Sequence, residues 1–149
     1  MVNEFHRPPY RISTDKAELD VEAIRAFLAE SYWARGIPPH LVEKSIQHSL
    51  CFGLYEENKQ IGFARVITDY ATFGYLGDVY LLESARGLGL GKWLMECVMG
   101  HPDLQGFRRW NLATRDAHGL YARYGFRPLE NPQNYMEITV QNPYQGSGD

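Results

Sequence analysis

Three glycines on alternate positions, Gly87, Gly89 and Gly91, divide residues 80–101, and this stretch restricts the fold more than any other. Before them, Tyr80, Leu81 and Leu82 read as the end of a strand. After them, Leu90, Leu94, Cys97 and Val98 recur at helical spacing and share one face. Glycine allows positive φ and lets a ligand come close to the backbone, and Gly89 and Gly91 are expected to use that freedom. The first N–H groups of a helix have no partner and sit at the positive end of its dipole. Strand, glycine turn and helix together make a seat for a phosphate or pyrophosphate.

Spacing separates the devices that use such a seat. A P-loop places four residues between its first Gly and a Gly-Lys-Ser/Thr. Here three residues separate Gly87 from Gly91-Lys92, and Trp93 stands where a magnesium-binding hydroxyl belongs. A dinucleotide fingerprint has two residues before its last Gly and opens a βαβ unit. Here only one residue intervenes, and the run lies mid-chain. A third pattern is Arg or Gln, two residues, Gly, one residue, then Gly or Ala; Arg86, Gly89 and Gly91 fill it.

A second run, residues 114–126, carries Ala117, Leu120, Tyr121, Gly125 and Phe126 at defined spacing. In its order and spacing the pair of motifs resembles the two signatures of the GNAT superfamily, the acyl-CoA-dependent N-acetyltransferases. Thr114 stands where that family commonly has Asn. The resemblance covers roughly residues 50–138.

Periodicity orders the rest. Residues 1–9 are polar, contain Pro8-Pro9 and read as loose; residues 10–13 read as a strand. Asp15 or Asp20 is placed to cap a helix in which Val21, Ile24, Phe27 and Leu28 share a face, running to about Glu30. Pro38-Pro39 opens a second helix, to about His48. Residues 50–55 and 60–68 form a hairpin about a polar turn, and residues 73–82 form the strand that feeds the glycines. Residues 110–114 read as a strand and residues 117–124 as a short helix stopped by Gly125. Residues 126–129 and 135–140 read as two closing strands, and residues 141–149 as a loose tail. The expected fold is mixed α/β in one domain, residues 1–149: a central mixed sheet, splayed at the cofactor site, flanked by about four helices.

Composition removes other function classes. With 22% charged residues and a net charge of −3, no basic stripe for nucleic acid is present. No apolar run is long enough to span a membrane, and no signal-peptide core opens the chain. Cys51 and Cys97 lie in apolar segments and read as buried free thiols, as in a reducing cytoplasm. His and Cys show no ligand spacing, so no metal is expected. A homodimer is compatible with this reading.

The resemblance implies a site. The strand before the glycines would splay from the Trp110 strand, so that Val79, Tyr80, Leu81 and Leu82 offer main chain to pantetheine. The pyrophosphate of acetyl-CoA would rest on the amides of Arg86, Gly87, Leu88, Gly89, Leu90, Gly91 and Lys92. The Arg86 side chain either pairs with phosphate or braces the loop, and Lys92 either touches phosphate or is solvated. The oxyanion donor would be a backbone N–H near Leu81 or Leu82. Tyr121 matches the family's thiolate-protonating tyrosine. Asp78 is the first candidate for base or amine anchor, with Glu83 and His118 behind it, and Thr114 would contact the cofactor. Tyr32 and Trp33, aromatic residues of the first helix–helix loop, are candidates for holding the amine. The implied function is direct acetyl transfer from acetyl-CoA to a small-molecule or peptide amine. The rival is a sensor of the same fold that binds acyl-CoA without turnover.

Overall fold

The computed structural model describes residues 1–145. One sheet holds six strands in sequence order: β1 (Glu4–Arg7), β2 (Tyr10–Ser13), β3 (Leu50–Glu56), β4 (Lys59–Thr68), β5 (Phe73–Leu81) and β6 (Arg109–Leu112). All neighbours are antiparallel except β5 and β6, which are parallel. A parallel pair needs a crossover. Here it contains α3 (Leu90–Met99).

Helices α1 (Val21–Glu30) and α2 (Pro39–Gln47) begin where local chemistry places them. The Asp20 carboxylate accepts from the Ala23 N–H at 3.0 Å, and Pro39 occupies the first turn of α2. Both helices bury one stripe: Ile24 and Leu28, then Val42 and Ile46, against Cys51, Phe63 and Tyr80 of the sheet. A second core sets Leu90, Trp93, Leu94, Met95 and Val98 of α3 against Phe52, Leu54, Val66 and Leu76. A last short helix, α4 (His118–Ala122), is followed by Gly125 at φ +94°. The Tyr124 hydroxyl donates to the Lys92 carbonyl at 2.9 Å, fastening the end of this motif to the start of α3.

Two expectations are corrected. Residues 1–9 are not loose throughout, because β1 pairs with β2 along its length, from Glu4 opposite Ser13 to Arg7 opposite Tyr10. Phe5 packs on the core and the Arg7 guanidinium lies 4.8 Å from the Trp93 ring centre. Residues 126–129 and 135–140 are not strands; the only regular element there is a 3-10 turn at Pro132–Asn134. Of the expected loose tail, residues 141–145 form bends and turns, and residues 146–149 lie outside the described residues. No helix among the described residues is long and apolar enough to cross a membrane.

Candidate active site

The parallel pair is short. β6 meets β5 only from Phe73 opposite Arg109 to Leu76 opposite Leu112, while β5 continues to Leu81. Beyond Leu76 the two strands part, and a cleft of about 640 Å³ opens between them. Val79 and Asp78 line it from β5, Thr114 from the segment after β6, and Tyr121 from α4.

The upper half of β5 keeps half of its backbone for the cleft. The Leu82 N–H donates to the Ile61 carbonyl of β4 at 2.8 Å. N–H groups alternate from side to side along a strand, so Leu81 and Val79 direct theirs toward the parted edge. Of the two expected oxyanion donors, Leu82 is engaged and Leu81 faces the opening.

The glycine turn lies at the end of this edge. Gly87 and Gly89 take φ of +79° and +78°, the left-handed region where only glycine is unstrained. A Cβ at either would meet nothing within 4 Å. Gly91 is different: it lies inside α3, and its added Cβ would make ordinary contact with Leu81 at 3.6 Å. Its expected need for positive φ is therefore corrected. No side chain caps α3, and its first internal bond runs from the Trp93 N–H to the Gly89 carbonyl. The amides of Leu90, Gly91 and Lys92 thus have no acceptor within the helix. Arg86, Leu88 and Lys92 are exposed around the turn.

Asp78 occupies an irregular position. Arg65 pairs with Gly77, but Phe63 pairs with Tyr80, so β5 spends three residues where β4 spends two. This bulge sets Asp78 at φ +51° and turns its carboxylate toward two donors. Oδ2 accepts from Arg65 Nε and Oδ1 accepts from Trp33 Nε1, each at 2.8 Å. Arg65 also donates from Nη1 to the Ser49 hydroxyl at 3.0 Å. Trp33, Arg65 and Asp78 line the cleft and also a second groove of about 510 Å³ against α2. They form the wall between the two. Lys44 and His48 line the second groove.

Tyr32 completes the mouth. Its hydroxyl accepts from the Arg115 N–H at 3.2 Å, and the Arg115 guanidinium lies 3.9 Å from the centre of its ring. Trp33 meets Tyr32 edge-on at 5.1 Å. Tyr121 is 8% exposed; burial, with Tyr32 and Asp116 nearby, pushes its phenol upward from the ordinary value and keeps it protonated at neutral pH. The Thr114 hydroxyl oxygen accepts from the Ala117 N–H at 3.0 Å, which leaves its proton free for another acceptor.

Other named residues lie elsewhere. The Tyr80 ring is buried and stacks on Phe27 at 3.8 Å, so only its main chain belongs to the strand that borders the cleft. Glu83 and His118 are exposed and line neither hollow. Arg65 escaped the sequence reading, although a single cation within the apolar run of β4 was its visible signal.

Comparison with known proteins finds relatives of one family. The model of the acetyltransferase (GNAT) domain matches residues 47–128. A curated Gibberella zeae protein, named as a candidate acetyltransferase, is 37% identical over 141 residues, covering 78% of either chain. A crystal structure from Xanthomonas campestris pv. campestris, described as a candidate acetyltransferase of the GNAT family, is 53% identical. It superposes with a TM-score of 0.91 over 94% of this chain and 99% of that one. A GNAT family acetyltransferase from Elizabethkingia anophelis, solved with acetyl-CoA bound, shares the fold at 16% identity and a TM-score of 0.63, over 91% of each chain.

Proposed function

The chain belongs to the GNAT acetyltransferase family, and on that premise we propose that it moves the acetyl group of acetyl-CoA to a primary amine by direct attack. The observation that carries this reading is the joining of an open strand edge, a buried tyrosine and an uncapped glycine turn along one cleft.

The residues fit acetyl-CoA. The space at Gly87 and Gly89 and the unpaired amides at the start of α3 suit a pyrophosphate. The parted edge of β5 suits the amides of pantetheine. Bound there, acetyl-CoA supplies an activated acyl group as a thioester.

The protein's groups then have distinct tasks. The Leu81 N–H is aimed to hold the oxygen that gains charge as the amine nitrogen bonds to the carbonyl carbon. The Tyr121 phenol gives its proton to the sulfur as the carbon–sulfur bond breaks. Asp78 anchors the incoming amine: each of its oxygens accepts one bond within the protein and keeps a further lone pair. The amine's surplus proton leaves to solvent in the groove beyond Trp33, and solvent returns a proton to the Tyr121 phenolate. That groove sets Lys44, His48 and Arg65 against Asp78, so it favours an amine that also carries an anionic group.

The test is a panel of amines, with and without carboxylate or phosphate groups, assayed with acetyl-CoA by thiol release and by mass spectrometry of the products. The expected result is an N-acetylated product from a member of the panel and no acetylated protein. A stoichiometric acetyl-Cys51 or acetyl-Cys97 would overturn direct transfer. Tight acetyl-CoA binding without turnover of any amine would favour a sensor.

A further inference from the structure

The wall between cleft and groove is built on a charged pair with bonding capacity to spare. The side chains of Arg65 and Asp78 are 16% and 11% exposed and meet at 2.8 Å through Nε and Oδ2. Asp78 Oδ1 also accepts from Trp33, and Arg65 Nη1 also donates to Ser49. A carboxylate has about four acceptor sites and a guanidinium five N–H groups, so these bonds use two on each side. Both residues line the groove of about 510 Å³.

Charge in this groove works against a bare amine. An ammonium brought to Asp78 also approaches the guanidinium bonded to it, and Lys44 and His48 line the same groove. Like charges repel strongly where water is partly excluded. A carboxylate on the ligand removes the conflict, because it gives Arg65 an opposite charge whose geometry matches the planar fork. Spacing limits where that carboxylate sits. The Nη2 of Arg65 is joined to the same carbon as the Nε that bonds Asp78, so the two ends of the ligand must be neighbours as well. In an α-amino acid a single carbon carries both. Trp33, Ile37 and Leu41 give the groove an apolar lining, which suits an apolar side chain.

We propose that the acceptor is an α-amino acid with an apolar side chain, its ammonium on Asp78, its carboxylate on Nη2 of Arg65 and its side chain among Trp33, Ile37 and Leu41. This assignment rests on the acetyl transfer proposed above and names its substrate class. The ammonium gives up two protons and gains the acetyl group. The equivalent of one proton ends on the sulfur of CoA through Tyr121, and the other goes to solvent. The products are an N-acetyl amino acid and free CoA.

The test compares L-leucine, L-methionine and L-phenylalanine with three other amines. These are leucinamide, isopentylamine (leucine without its carboxylate) and 6-aminohexanoate, in which a long chain parts the two charges. Turnover is read by thiol release, and binding by calorimetry on the complex with CoA. An amino acid of the first group should exceed every comparison amine in kcat/KM by more than about 100-fold. Arg65→Lys keeps the charge beside Asp78 and loses the fork. It should raise the amino acid KM by about tenfold or more, narrow the gap to isopentylamine and leave the KM for acetyl-CoA unmoved. A comparison amine that matches the amino acids would overturn the proposal whether or not the variant folds. An unchanged amino acid KM in a folded Arg65→Lys would overturn it too. If no amine is turned over, acetyl transfer fails on its own account and calorimetry decides the site. Binding of an amino acid without binding of isopentylamine then upholds it, and no amino acid binding overturns it.

Discussion

Trp33 and Asp78 are 45 residues apart in sequence, and the indole N–H of one donates to the carboxylate of the other at 2.8 Å. This bond ties the loop between α1 and α2 to the bulge of β5. It holds the candidate amine anchor at the boundary of the cleft and the groove.

Trp33→Phe keeps a ring there and removes the donor. Because Trp33 is 42% exposed, stability should fall by less than about 1 kcal/mol. The KM for the amine should rise about tenfold, equivalent to about 1.4 kcal/mol, with the KM for acetyl-CoA unmoved. Asp78→Ala is harsher, since it strands Arg65, whose side chain is only 16% exposed. That loss is expected at about 3 kcal/mol and is readable in a denaturant titration. An unchanged amine KM in Trp33→Phe would remove the positioning role.

The glycines of the turn should differ among themselves. Gly89→Ala places a side chain at φ +78° and should cost about 1–2 kcal/mol. Its Cβ would also stand in the space assigned to pyrophosphate, so calorimetry should show acetyl-CoA affinity falling more than tenfold. Gly91→Ala lies within α3 against Leu81 and should stabilise that helix by up to about 1 kcal/mol. Equal loss of affinity in both variants would mean that left-handed backbone is not what matters.

Tyr121→Phe deletes the proposed thiolate acid. Turnover should drop by roughly 10²–10⁴ with binding of acetyl-CoA retained. Burial pushes the phenol above its ordinary value of 10, so any loss of rate from ionisation of Tyr121 should come at higher pH than for a free phenol. A melting temperature that falls together with turnover would make Tyr121 a packing residue.

The two thiols give a stability prediction. Burial pushes Cys51 and Cys97 from an ordinary value of 9.0 up to about 12. The folded protein therefore keeps protons that the unfolded chain releases. Their contribution to stability is complete below pH 9 and is lost as pH rises from 9 to 12. Each thiol should lower unfolding free energy by about 1.4 kcal/mol per pH unit across that window. Replacing either by Ala should flatten the fall in urea titrations at pH 10 relative to pH 8. At pH 8 the folded protein should resist a thiol reagent that labels both cysteines in urea.

The sequence was most legible where local pattern and long-range packing agree. Strands β3, β4 and β5 and helix α3 bury residues on repeats that can be counted. β1 was not legible, because Asn3, Glu4 and His6 are polar and the strand exists through its pairing with β2. Residues 135–140 erred the other way: they alternate as a strand does, yet a strand requires a neighbour that the local pattern cannot supply. Near the cleft, the turn before α3 and the short helix that carries Tyr121 were legible from the two motifs, while Gly91 was misjudged as a left-handed position. The left-handed φ of Asp78 was not, since nothing in an aspartate announces a bulge. Arg65 owes its place to the register of two strands rather than to its neighbours in sequence.

The parted edge of β5 offers peptide N–H groups, which almost any residue at those positions would also offer. The wall beyond it is made of Trp33, Arg65 and Asp78 side chains, and its chemistry changes with a single codon. Heritable change therefore acts unequally on the two halves of the molecule. Under the proposed assignment, descendants of this gene can drift to a new amine through these three side chains while inheriting the means to hold the acyl donor intact.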